Sequence, residues 1–179
     1  MKILGIAGSL RSGSVNAQLL HLLAESLPDG VELAVWEGLR EIPPFDEDTE
    51  ETPSVAVAGL RSAVAGADAV LVATPEYNGS IPGTLKNALD WGSRPGATNV
   101  FRGKPVAVIG ASPGAFGGIW AHEETRKVLG IMGARVVGAG LSLGKAHERL
   151  AAPDDELLGQ LREVVEALVS EVTVRTQAA

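Results

Sequence analysis

The sequence predicts an α/β fold: a doubly wound, five-stranded parallel sheet in three layers, α/β/α. Three observations predict it. Five apolar runs recur along the 179 residues. Most are continuously apolar, as strands buried on both faces of a parallel sheet are. A helical pattern separates each run from the next, and strict alternation places helices on both faces of a parallel sheet.

The first strand is expected over Lys2–Ala7. The turn GSLRSGSVN (residues 8–16) joins it to a helix over Asn16–Leu27, where Leu19, Leu20, Leu22, Leu23 and Leu27 fall near helical spacing. Val31–Trp36 reads as the second strand, and the acidic, proline-rich stretch Glu41–Pro53 as a surface loop. A second helix follows Pro53 over Val55–Ala65. Ala69–Thr74 and Val106–Gly110 are the third and fourth strands, with a helix over Gly83–Trp91 between them. A fourth helix is expected over Trp120–Met132 and a fifth strand over Ala134–Val137. Asp154 is the expected N-cap of a last helix over Asp155–Val172, with Pro153 before it. The tail TVRTQAA is expected to fray. No repeat or low-complexity linker interrupts the chain, so residues 1–179 read as a single domain. A domain of this length buries roughly two-thirds of its unfolded surface.

Composition removes several function classes. The net charge of −7 argues against nonspecific nucleic-acid binding, which needs cations to displace phosphate counterions. With no cysteine there is no disulfide, thiol nucleophile or thiolate-held cluster. His21, His122 and His147 are far apart and form no HExxH pattern, so no metal site is expected. No apolar run approaches the ~20 residues that cross a bilayer. The opening MKILGIAGS is broken by glycine and runs into a polar loop, unlike a signal peptide. A cytoplasmic protein is expected, without membrane partners.

Ligands of such sheets bind beyond the carboxyl ends of the strands, where strand order reverses. Three loops leave those ends with unusual chemistry. The first, GSLRSGSVN, spaces Gly8 and Gly13 as an ATP-binding loop does, but Ser14 and Val15 replace its Lys-Ser/Thr pair. It also lacks GxGxxG. Glu37 ends the second strand where a ribose-binding acid would sit, which keeps a nicotinamide-only reading open. Arg11 opposes that reading, because a long cation would obstruct a pyrophosphate lying close over glycine backbone. A terminal phosphomonoester fits better. Arg11 offers a charged fork, Ser9 and Ser14 offer hydroxyls, Asn16 offers an amide, and the helix start adds free N–H groups.

The second loop is TPEYNGSIPGTLKNALDW. Pro75 and Pro82 stiffen it, and Glu76, Tyr77 and Asn78 before Gly79 can present amides and one aromatic edge to a flat ring. The third is GASPGAFGG, in which glycines surrounding Phe116 permit close backbone approach.

At these loops the chain resembles the NADPH-dependent FMN reductase family, which has the flavodoxin-like fold. GSLRSGSVN is similar to the family's FMN phosphate loop, GSxRxxSxN, which implies that Ser9, Arg11, Ser14 and Asn16 hold the phosphate. PEYNGSIPGTLKNALDW resembles its most specific motif, which implies that Pro75, Glu76, Tyr77, Asn78 and Gly79 line the isoalloxazine and ribityl chain. FRGKPVAVIGASPGAFGG is similar to its third flavin segment, implying Ser112, Gly114, Gly117 and Gly118. The likeness weakens over Val31–Gly59 and after about Leu143. It departs where many relatives carry Arg-Ala-Gln, for here the residues are Trp120, Ala121 and His122. That change bears on the substrate pocket and on any contact across a subunit interface.

The resemblance implies an FMN-dependent oxidoreductase that takes electrons from NADPH or NADH and passes them to a second small molecule. The alternative is an electron-carrier flavodoxin without substrate turnover. Since the flavin carries the chemistry, no catalytic side chain is expected. Glu76, Tyr77, Lys86, Glu123 and His122 are the acid–base candidates against that expectation. A homodimer or homotetramer is expected, because Leu85, Leu89, Trp91 and Phe101 offer more apolar surface than one sheet face covers.

Overall fold

In this computed structural model, Lys2–Ala7 forms strand β1, and Val15–Ala24 forms helix α1, capped by Ser14. β2 (Glu32–Trp36), α2 (Val55–Gly66), β3 (Ala69–Thr74) and α3 (Gly83–Ser93) follow, then β4 (Pro105–Ala111) and α4 (Ile119–Ile131). β5 (Arg135–Leu143), α5 (Ala146–Ala151) and α6 (Asp155–Ala178) complete the chain. The structure describes residues 1–178, with side chains through Val174. The tail expected to fray is helical through Ala178, and Ala179 lies outside the described residues.

The strands are all parallel, in the order β2–β1–β3–β4–β5. This is the flavodoxin-like order, and it reverses between β1 and β3. Alternate residues of each central strand feed opposite cores. Leu71 and Ile109 face a core with Leu19, Leu20 and Leu23 of α1 and Leu157, Leu161 and Leu168 of α6. Val70, Val72, Val106 and Val108 face the other, with Leu60, Val64, Leu85, Leu89 and Leu129. All six residues of β3 and all seven of β4 are buried, as the continuous apolar runs require.

The ends of the sheet differ from expectation. β5 continues six residues past Val137, through Gly138 and Gly140, to Leu143. Its register against β4 jumps from Val106↔Val136 to Val108↔Gly140, so two extra residues of β5 bulge out. Glycines in a strand commonly mark such a bulge. The six-residue α5 was not foreseen; it is too short to show a helical period.

The apolar surplus also lies elsewhere. Leu85, Leu89, Trp91 and Phe101 are at most 2% exposed within one subunit. Trp91 is covered by the loop after β2, where its indole N–H donates to the Pro43 carbonyl at 2.8 Å and its ring meets Phe45 edge-on at 5.0 Å. The argument for oligomers from these four residues therefore fails. The large apolar groups left exposed include Tyr77, Phe116, Ile119 and Trp120. No helix among the described residues is long and apolar enough to cross a membrane.

Candidate functional site

The turn after β1 stands at the point where strand order reverses. Gly8 N–H donates to the Ala73 carbonyl of β3 at 2.8 Å, so the turn leaves the sheet fastened to its neighbour. Ser14 then starts α1: its Oγ accepts the Ala17 amide at 3.2 Å, which keeps its own hydroxyl hydrogen free to donate. Among the described residues, the amides of Ser12, Gly13, Val15 and Asn16 donate to no group of the chain. Together with the positive end of the helix dipole they form an anion seat. The Arg11 side chain curls over the same turn, and its Nη2 donates to the Gly13 carbonyl at 2.7 Å. That uses one of its five N–H groups.

Asn16 has a different task from the hydroxyls. It is 1% exposed, its Nδ2 donates to the Ala111 carbonyl at 3.0 Å, and its Oδ1 accepts the Ala111 amide at 2.9 Å. Both poles of the amide bind the end of β4, leaving one N–H for any ligand.

The second loop is held by the start of α4. Tyr77 and Ser80 exchange backbone hydrogen bonds of 3.1 Å, and Asn78 and Gly79 between them have φ of 55° and 73°. This is the positive-φ pair of a type I′ turn, for which Asn-Gly is the preferred sequence. Just before the turn, the Glu76 carboxylate accepts the Trp120 amide at 3.0 Å and the Ala121 amide at 3.3 Å. Just after it, Ser80 Oγ donates to Glu124 at 2.6 Å and the Ile81 amide reaches the same oxygen at 3.4 Å. The Ser80 hydroxyl is the main reason the Glu124 carboxyl is held below its ordinary range.

The third loop is packed at its glycine end, while Pro113, Gly114, Ala115 and Phe116 are exposed. Gly117 has φ of 64°, and a Cβ there would run into the backbone of Ser142 and Leu143. Gly118, at φ of 80°, is the N-cap of α4 and has no side chain to cap it, a lack that Glu76 makes good. Both glycines are buried.

Ser9, Arg11, Ser14, Asn16, Pro75, Glu76, Tyr77 and Ser112 come together as the walls of one pocket of about 250 Å³, with Val15, Ala111 and Pro113. The phenol of Tyr77 closes one side, 3.5 Å from Ser9 Oγ. Asn78, Gly79, Gly114, Gly117 and Gly118 are not among its lining residues. Neither are three of the five acid–base candidates. Lys86 is paired with Asp90 at 2.7 Å, while His122 and Glu123 line a separate groove. Sequence reasoning passed over Ala111 and Pro113, which carry no polar side chain to mark them.

Residues 1–148 match the family described as NADPH-dependent FMN reductase. The chain belongs to this family. A NAD(P)H-dependent FMN reductase of Pseudomonas aeruginosa is 46% identical over 130 residues, spanning 72% of this chain and 69% of its own length. A quinone reductase of Pseudomonas putida is 42% identical over 125 residues, 69% of this chain and 67% of its own. Among solved structures, the flavoenzyme NAD(P)H:(acceptor) oxidoreductase FerB of Paracoccus denitrificans superposes with a TM-score of 0.82 at 28% identity. That match covers 95% of this chain and 98% of FerB. As a member of the family, the chain is matched over all three loops and through the first three residues of α5.

Proposed function

We propose that this protein is an FMN-dependent oxidoreductase that draws electrons from NADPH or NADH and delivers them to a quinone-type small molecule. The observation that carries the reading is the pocket in which three separate loops meet, with an anion seat at the start of α1. Its donor set suits a phosphomonoester: a guanidinium fork, hydroxyls of Ser9 and Ser14, and amides with no other partner. In this reading Ser9, Arg11 and Ser14 hold the phosphate, and Asn16 holds the loop itself in place. Pro75, Glu76, Tyr77 and Ser112 border the ring and ribityl side. Asn78, Gly79, Gly114, Gly117 and Gly118 act through the backbone, by setting the turn and by seating the third loop against β5.

When bound, FMN supplies the electron transfer between donor and acceptor. The chain's residues orient the flavin and bind its phosphate, and none acts as nucleophile, acid or base. Tyr77, half exposed at the pocket's edge, is placed to orient an incoming quinone through its phenol. The acceptor class is taken from the relatives, and we read the protein as cytoplasmic.

We also read the protein as a homodimer or homotetramer. The support is the apolar group Phe116, Ile119 and Trp120, in which Phe116 is 67% exposed and its ring meets that of Trp120 at a tilt of 51°, with centroids 5.4 Å apart. A second copy covering this group would lie beside the pocket. Sedimentation should give a dimer or larger species at micromolar concentration, and a monomer there would remove the proposal.

The functional reading is tested by purification and turnover. The protein should be yellow, mass spectrometry of its heat-released cofactor should give FMN, and the holoenzyme should oxidise NAD(P)H with benzoquinone as acceptor. Release of mainly FAD would refute the phosphate assignment. Bound FMN without turnover would favour an electron carrier.

A further inference from the structure

The loop after β3 and the start of α4 grip each other twice, and each grip uses a carboxylate. Glu76, from the loop, accepts the amides of Trp120 and Ala121 in the first turn of α4. Glu124, from the next turn of α4, accepts the Ser80 hydroxyl at 2.6 Å and the Ile81 amide at 3.4 Å through one oxygen, Oε2. Trp120 and Glu124 stand at i and i+4, so both grips fall on one side of the helix. Between them lies the turn Tyr77–Ser80, closed by two backbone hydrogen bonds of 3.1 Å.

The two grips hold different things. Glu76 meets backbone amides at a helix start, and so fastens the helix. Glu124 meets Ser80, the residue that closes the turn. Tyr77, which opens the same turn, carries the phenol at the pocket's edge, 3.5 Å from Ser9 Oγ. Tyr77, Asn78 and Gly79 are exposed, and among the described residues that phenol contact is the one hydrogen bond they make outside the turn. The orientation of the turn therefore depends on its two ends. One end is held by Glu76, the other by the Ser80–Glu124 bond, which is short and charge-assisted. That bond is also the main reason the Glu124 carboxyl stays ionised at neutral pH.

We infer that Glu124 is a positioning residue for the electron acceptor: by holding Ser80 it sets the Tyr77–Ser80 turn, and with it the phenol that an incoming quinone meets. Glu124 is not among the residues lining the pocket, so it acts through the turn and not by contact. The inference rests on the functional reading above, in which Tyr77 orients the quinone. It gives a side chain of α4, 44 positions on from Ser80, a part in how the acceptor is held.

Tyr77 is the only tyrosine of the 179 residues, so protein made with labelled tyrosine gives one isolated ring signal by NMR. In the FMN-loaded protein, Glu124→Ala and Ser80→Ala should each move that signal in the same direction. Glu124→Gln, which keeps an acceptor oxygen, should move it less. In steady-state turnover with benzoquinone, Glu124→Ala should raise KM about tenfold with kcat within about twofold, as loss of one charge-assisted bond that only positions would do. Glu124→Gln should fall between the parent and Glu124→Ala. In a Tyr77→Phe background Glu124→Ala should raise KM no further, because the hydroxyl it positions is gone. An unmoved tyrosine signal, an unchanged KM, or a full additional rise in the Tyr77→Phe background would each overturn the inference. Should Glu124→Ala fail to fold, Ser80→Ala and Glu124→Gln decide by the same readings. An FMN-loaded parent that reduced no quinone would overturn the functional reading and this role with it. Turnover with a KM that Glu124→Ala leaves unmoved would overturn this role alone.

Discussion

Glu76 caps a helix that begins more than forty residues later: its carboxylate accepts the Trp120 amide at 3.0 Å. The helix α4 starts at a glycine with no capping side chain, and the acid from the second loop stands in for one. Loop and helix are thereby tied on the pocket side. Glu76→Ala should destabilise the protein without flavin by about 1–2 kcal/mol, from a lost charge–dipole contact and lost hydrogen bonds. That corresponds to a fall in Tm of roughly 2–8 °C for a chain of this size. Glu76→Gln should lose less, since its amide oxygen still accepts. Thermal melts of both variants decide it, and an unchanged Tm in Glu76→Ala would refute the capping role.

Arg11→Ala should weaken FMN far more than riboflavin. A charge-assisted phosphate contact contributes roughly 1.5–3 kcal/mol, or about one to two decades of affinity. Fluorescence titration with both ligands measures the difference. Equal weakening would mean that the guanidinium serves only the Gly13 carbonyl.

Asn16→Ala tests scaffold against ligand. It would strip both partners from the buried Ala111 backbone, at about 1–3 kcal/mol for each group left unpaired. Urea denaturation of the flavin-free protein should show that loss. If Asn16 served only the phosphate, the flavin-free stability would be unchanged.

His122 should make stability depend on pH. Its folded pKa lies below the ordinary 6.5, mainly through burial and then through Arg126. The unfolded chain therefore binds the proton more readily, and stability rises with pH through this window. Cooling the pH from 7 to 5.5 in steps, with melts at each, should lower Tm in the parent and lower it less in His122→Gln. Parallel curves would remove His122 as the cause.

Tyr77→Phe should retain FMN and lose less than about tenfold in the rate of flavin bleaching by NAD(P)H, below the 10²–10⁴ typical of general acid–base help. Stopped-flow absorbance measures this. A loss above about a hundredfold with normal FMN binding would make the phenol a proton donor.

The central strands could be read from the sequence because they are apolar without interruption. β5 could be read only as far as Val137, because Gly138 and Gly140 carry the signature of a turn. They belong to a strand for a tertiary reason: His122 packs over Gly140, where a Cβ would have no room. The loops that meet at the pocket were legible as unusual chemistry, but the division of labour within them was not. Asn16 looks like a donor until its Ala111 partner, 95 residues away, is seen. Glu76 looks like a ligand residue until α4 arrives at its carboxylate. The apolar residues of α3 were misjudged because the loop after β2, which covers Trp91, has no local pattern announcing where it will lie.

The stitching of the first turn to its neighbours has a practical consequence. Gly8 is fastened to β3 and Asn16 to β4, so both ends of the turn are pinned to the centre of the sheet, with no part taken by a cofactor. A socket fastened from behind keeps its shape when emptied. Synthetic flavins that retain the ribityl phosphate but carry altered rings could then be exchanged into the same protein without refolding it. The driving force of the reaction would become a quantity set by the chemist, with the surrounding polypeptide held constant.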